Sequence, residues 1–212
     1  MVEEAVELKN ALKELRSCDK RKFTQTVELI VNLQNYDVRK EALNTFLTVP
    51  HPTEKKICAF LTKRSNVVDT IIEDDFSKYK EKKDLKALAT KYDYFSSVAP
   101  MMGKIATKFG RVFGPLGKMP SPQGGIITKE DEESVKTMMD KLTKMVRVRN
   151  KEASIKLSVA KEDMKDEQII ENIETLLTQL ETKLPRGKEN IKNAMVKFTM
   201  TKSIKFLDNI KR

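Results

Sequence analysis

The passage GRVFGPLGKMP (110–120) is where this chain comes nearest to a phosphate-binding loop, because glycines frame a lysine there. A Walker loop needs Gly-x-x-x-x-Gly-Lys followed by Ser or Thr: the first glycine shapes the turn and the hydroxyl holds magnesium. Here Val112 stands in the first glycine's place and Met119 follows Lys118, so neither part is supplied. His51 is the one histidine, set beside two prolines, and no Ser–His–Asp or Cys–His set can be assembled around it. Cys18 and Cys58 lie far apart with no CxxC pair, which argues against a zinc site and for two reduced structural thiols. What remains is charge and hydrogen bonding. Lys and Arg number 41 against 31 Asp and Glu, a net +10, which favours an anionic partner, nucleic acid before acidic lipid.

The elements that would present such groups can be read from periodicity. Residues 3–17 carry a helical stripe of Ala5, Leu8, Leu12 and Leu15. In KRKFTQTVELIVNL the period changes to two. Val27, Leu29, Val31 and Leu33 face one way, and Thr24, Thr26, Glu28 and Asn32 the other, with Ile30 an exception. That predicts a half-buried strand with a polar outer face. By the same parity Phe23 belongs with the core, and only its place at the strand's start permits an outward role. NTFLTVP (44–50) predicts a shorter strand closed by Pro50 and Pro52. KICAFL (56–61) and YDYFSSV (92–98) are runs of the kind found in strands covered on both faces. Helices are predicted over about 80–91 and 129–144, with a short one ending in the Gly/Pro-rich passage 110–125. MVRVR (145–149) follows as a strand.

ASIKLSVAK (153–161) alternates again, with Ile155, Leu157 and Val159 inward and Ser154, Lys156 and Ser158 outward. Residues 165–184 hold the clearest helical stripe, Ile169, Ile173, Leu176, Leu180 and Leu184, with acids in the first turn and Pro185 and Gly187 at the end. NAMVKFTMTKSIKF (193–206) reads as one last alternating strand, Val196, Phe198 and Met200 against Lys197, Thr199 and Thr201.

The half-exposed strand pattern stops near residue 54 and resumes near 152. This predicts a two-domain chain of α/β and α+β type: a discontinuous α+β domain from both termini (1–53 plus 152–212), and an inserted three-layer α/β domain (54–151). Counted so, 54–151 carries +8 of the +10. Its lysines, among them Lys78, Lys80, Lys82 and Lys83, are most simply a solvated face. No run of about 18 apolar residues is present to span a membrane, and the first residues hold three glutamates and no apolar secretory core.

Four stretches carry a resemblance: KFTQTVELIVNLQNYDVRK (22–40), YDYFSSVAPMMGKIATKFGRVFGPLGKMP (92–120), KEDMKDEQIIENIE (161–174) and VKFTMTKSIKF (196–206). In this order they resemble the L-one family of large-subunit ribosomal proteins, archaeal type. GPLGKMP is the most specific, followed by FTQTVEL with NLxxxDxRK. The resemblance implies a cytoplasmic, non-enzymatic RNA binder without cofactor or metal, monomeric away from the ribosome. Its terminal domain would grip large-subunit rRNA to form the mobile stalk beside the tRNA exit site, with a Rossmann-like domain inserted. Exit-site tRNA would be a transient partner, and the protein's own messenger a further one through translational repression.

The family's RNA contacts map here onto Lys22, Phe23, Thr24, Thr26 and Glu28, onto Lys156 and Ser158, and onto Thr199 with Met200. Threonine hydroxyls and a carboxylate can read ribose 2′-OH groups while lysines hold phosphates. Two departures stand out. Thr201 and Lys202 occupy positions where glycine and proline are usual, and Lys156 takes one that is often histidine in bacterial members. The rival reading is a small α/β nucleotide-binding enzyme that uses the 110–120 loop.

Overall fold

The computed structural model describes residues 2–19, 21–79, 81–122, 124–127, 130–150 and 152–208, without the side chains of residues 2–5. Ala5 and Lys80, named above, therefore lie outside the described side chains. Elements are numbered along the chain.

A strand that alternates apolar and polar residues can bury one face and wet the other, and three such strands meet here across long stretches of sequence. β1 (Thr26–Leu33) pairs antiparallel with β8 (Ser154–Lys161) on one side and with β9 (Ile191–Phe198) on the other. β10 (Ile204–Asp208) adds outside β9, giving the order β10-β9-β1-β8. Val27, Leu29, Val31, Ile155, Leu157, Val159, Val196 and Phe198 are buried on the inner face. They form one core with Leu8, Leu12 and Leu15 of α1 (Val2–Ser17) and Ile169, Ile173, Leu176 and Leu180 of α5 (Asp166–Lys183). Arg16 ties the two helices: Nε donates to Asp166 Oδ1 at 2.7 Å and its two terminal nitrogens donate to the carbonyls of Glu162 and Met164.

β2 (Asn44–Thr48) and β7 (Met145–Arg149) make a separate antiparallel pair whose Leu47, Val146 and Val148 enter the same core. The Gln179 amide of α5 acts as the next strand would: it accepts from Thr48 N–H at 2.9 Å and donates to Thr48 O at 2.8 Å. Fully buried Asn172 does the same for His51, accepting from its N–H and donating to its carbonyl at 2.9 and 2.8 Å. His51 is thus held through its backbone, and its ring meets Glu171 at 2.7 Å.

By contacts the chain divides into Met1–Thr53 with Lys144–Arg212, and Glu54–Thr143. The strand at 145–149, assigned by sequence to the inserted unit, belongs to the first, because its inward residues complete that core. The charge moves with it. Glu54–Thr143 carries 17 basic against 13 acidic residues, a net +4, and the remainder 24 against 18, a net +6.

The second unit is mixed α/β. β3 (Ile57–Phe60), β4 (Asp69–Ile71), β5 (Tyr94–Val98) and β6 (Ile126–Ile127) form a wholly parallel sheet in the order β4-β3-β5-β6. Cys58, Ala59 and Phe60 are each fully buried. Neighbours on a strand point to opposite faces, so the sheet is covered on both. The helices of this unit are α2 (Lys82–Lys91), α3 (Met102–Leu116) and α4 (Glu132–Lys144), whose last residue, Lys144, already belongs to the first unit. Burial pushes the Cys58 thiol up to about 12, with Asp69 adding to the effect, whereas Cys18 is exposed. A thiol reagent at pH 8 is therefore expected to titrate one cysteine in the folded protein and a second only in denaturant. Two rapid equivalents would contradict this packing.

The glycine-rich passage differs from its sequence reading. α3 runs on through Gly110, Gly114 and Pro115 to Leu116, because Phe109, Val112 and Phe113 recur at helical spacing and are all buried. Gly117, at φ 70°, ends it in the left-handed conformation, and Lys118 N–H closes the cap on Phe113 O at 2.9 Å. Gly125 has a different need: a Cβ there would sit 2.9 Å from the Phe95 carbonyl oxygen.

Candidate nucleic-acid interface

Outward residues of β1 meet outward residues of its neighbours by register. Glu28 lies opposite Ser158 on β8 and Lys197 on β9, Ile30 opposite Lys156 and Met195, and Thr26 opposite Lys161. One face of the sheet therefore carries Thr26, Glu28, Lys156 and Ser158 together, the two β8 residues exposed and the two β1 residues partly so. Glu28 and Lys197 stand 4.0 Å apart, and Lys156 reaches Glu152 at 3.5 Å. Both are loose surface pairs that leave the groups available to a ligand.

The rest of the set gathers at the open end of β1. Lys22, Phe23 and Thr24 lie in the irregular segment before the strand, all exposed. Phe23 is 52% exposed, so strand parity fails for it: the ladder begins only at Thr26. The expected last strand also breaks. β9 ends at Phe198 and β10 begins at Ile204, with Thr199–Ser203 turning between them, so Met200 is 59% exposed rather than inward.

This turn is fastened to the start of β1. Thr199 Oγ1 accepts from Thr26 N–H at 3.0 Å, and Met200 N–H donates to the buried Gln25 side-chain oxygen at 3.1 Å. Gln25 N–H in turn donates to Glu162 at 3.1 Å, and Lys161 Nζ donates to Thr26 Oγ1 at 3.1 Å. Thr201 turns inward: its hydroxyl accepts from Phe198 N–H at 2.9 Å. The side chain standing where glycine is usual thus closes the hairpin turn. Sequence reasoning passed over Gln25, Lys161, Glu162 and Lys197. Lys197 had a signal, its outward phase in the β9 alternation; the others depend on pairing that no local pattern encodes.

The phosphate-loop reading fails on geometry. Residues 110–116 are helix, and Lys118 Nζ donates to the carbonyls of Ala89 and Tyr92, both at 2.7 Å, capping the end of α2. At the carboxyl end of β3, where such sheets usually receive a nucleotide, the Thr62 N–H and hydroxyl are already bonded to Glu130. Among the described residues no cluster of His, Cys, Asp or Glu could hold a metal, and no helix is long and apolar enough to cross a membrane.

Comparison with known proteins agrees in kind. Residues 12–202 match the profile of the ribosomal protein L1p/L10e family. The large ribosomal subunit protein uL1 of Nanoarchaeum equitans is 33% identical over 207 residues, covering 92% of this chain and 97% of that protein. That of Thermococcus kodakarensis is 33% identical over 212 residues, covering 93% and 95%. That of Methanobrevibacter smithii is 32% identical over 208 residues, covering 92% and 95%. With an antiparallel sheet built from both ends of the chain, a separate parallel α/β unit and a match along nearly its whole length, this chain belongs to the ribosomal protein L1p/L10e family.

Proposed function

We propose that the outer face of β1, β8 and β9, together with the turn after Phe198, is the surface by which this protein holds large-subunit rRNA. As a family member the chain is a structural component of the large ribosomal subunit of the cytoplasmic ribosome and not an enzyme. The observation that carries the surface assignment is the register: it places Thr26, Glu28, Lys156 and Ser158 on one side of a rigid sheet, beside a turn bonded to Thr26. Hydroxyls and a carboxylate so arranged suit ribose 2′-OH groups and unpaired base edges, and the lysines suit phosphate. Phe23 and Met200, both exposed, offer apolar surface on which a ribose or base can pack.

In this reading the bound rRNA forms the mobile stalk beside the tRNA exit site, exit-site tRNA is a passing partner, and the free protein is a monomer. A segment of its own messenger folded like the rRNA site would meet the same groups, so repression would use the same face. Filter binding tests the surface: a folded large-subunit rRNA fragment is expected to bind tightly, with polyanions such as heparin competing poorly. Equal competition by heparin would reduce the interaction to unspecific charge.

A further inference from the structure

We propose that the outer face of the β2–β7 pair is a second RNA contact, a cationic platform that holds phosphate; it rests on RNA binding through the β1 face as the protein's function. Register sets Asn44 opposite Arg149 and Phe46 opposite Arg147. Leu47, Val146 and Val148, of the other phase, fill the core beneath, so the four point outward together.

The platform is built rather than merely charged. The Arg147 guanidinium lies 5.8 Å from the centre of the Phe46 ring, and its Nε and Nη2 donate to Asn44 Oδ1 at 3.3 and 3.2 Å. A planar cation held against a ring and by a neighbouring amide has little rotamer freedom left to lose on binding. Arg149, one rung along, is exposed, and so is Lys144 just before the strand; neither side chain has a hydrogen bond or ion pair among the described residues. Arg16, Lys78 and Lys104, by contrast, each meet a carboxylate within 2.7 Å. Beside Arg149, the Asn150 side chain is 5% exposed and its Nδ2 donor is unmet. These are also the cations that the contacts move out of the α/β unit, and they help to give the unit that holds β1 its larger surplus.

Phosphate in RNA is the ligand this chemistry selects. Arginine forks match phosphate oxygens in pairs. An acidic membrane would call for apolar anchors alongside the cations, and the exposed large apolar residues, Val6, Phe23, Val67, Leu116 and Met200, all lie elsewhere.

The test uses the full chain, a large-subunit rRNA fragment and salt from about 50 to 300 mM, comparing wild type, the double variant Lys144→Gln/Arg149→Gln, and Glu28→Ala. Both replaced cations are exposed, so thermal melting should stay at the wild-type midpoint. The double variant is expected to bind about tenfold more weakly, with the slope of log affinity against log salt shallower by about 1–2. The same loss is expected with an unrelated structured RNA. Unchanged affinity and slope in the double variant, with Glu28→Ala still weakened, would overturn the platform and leave the first face standing. Loss in the double variant with Glu28→Ala unaffected would support the platform and count against the first face instead.

Discussion

Glu28→Ala is expected to weaken binding to a large-subunit rRNA fragment about 30-fold while moving the thermal midpoint by less than about 4 °C. The first figure follows from the loss of a charge-assisted hydrogen bond, about 2 kcal/mol, at 1.4 kcal/mol per tenfold in affinity. The second follows from what Glu28 does within the protein. Its ion-pair partner, Lys197, is 4.0 Å away and both are partly exposed, and such pairs contribute about 0–1 kcal/mol. Thr199→Val would be a poorer probe, since its hydroxyl accepts the Thr26 N–H and its loss disturbs the strand start as well as the surface. Titration of labelled RNA alongside a melting curve checks both halves. A loss under about twofold would remove Glu28 from the interface.

Phe109→Ala is expected to destabilise the α/β unit by about 3–5 kcal/mol and leave rRNA affinity within about twofold of wild type. Phe109 is fully buried, and its ring centre lies 5.0 Å from that of Phe76, 5.2 Å from Phe60 and 5.4 Å from Phe113. Deleting it opens a void among these three aromatic rings. For a unit of this size the midpoint should fall on the order of 20 °C. The buried residues of this cluster and those around β1 are entirely different sets, so the RNA face should keep its geometry. Calorimetry should show one transition falling and another staying. A common fall of both, or lost RNA binding, would mean that the two cores do not fold independently.

Much of the molecule was legible locally. The alternation in β1 and β8 and the stripe of Ile169, Ile173, Leu176 and Leu180 on α5 follow from the 2.0 and 3.6 periods alone, because one buried face is enough to sort side chains by position. Local reading failed where a neighbour distant in sequence decides. Phe23 had the right parity for the core but no ladder to hold it there. Residues 193–206 alternate except at Lys202, yet the chain turns at Thr199–Ser203, where the Thr201 hydroxyl and the Gln25 side chain satisfy backbone that a continued strand would have paired. The Gly/Pro-rich passage had the composition of a loop, and burial of Phe109, Val112 and Phe113 made its first half helix. MVRVR gave no hint of its partner.

By itself the sequence determined which residues of β1, β8 and α5 face inward, the presence of two kinds of sheet, and the resemblance that led to the family. Only the tertiary structure decided that β7 joins β2, that Thr199 meets Thr26, and that Lys118 caps a helix instead of a phosphate. Side-chain phase is set by the residue's own backbone period. Strand partners, register and the destination of a hydrogen-bonding side chain are set by whatever the rest of the chain brings alongside.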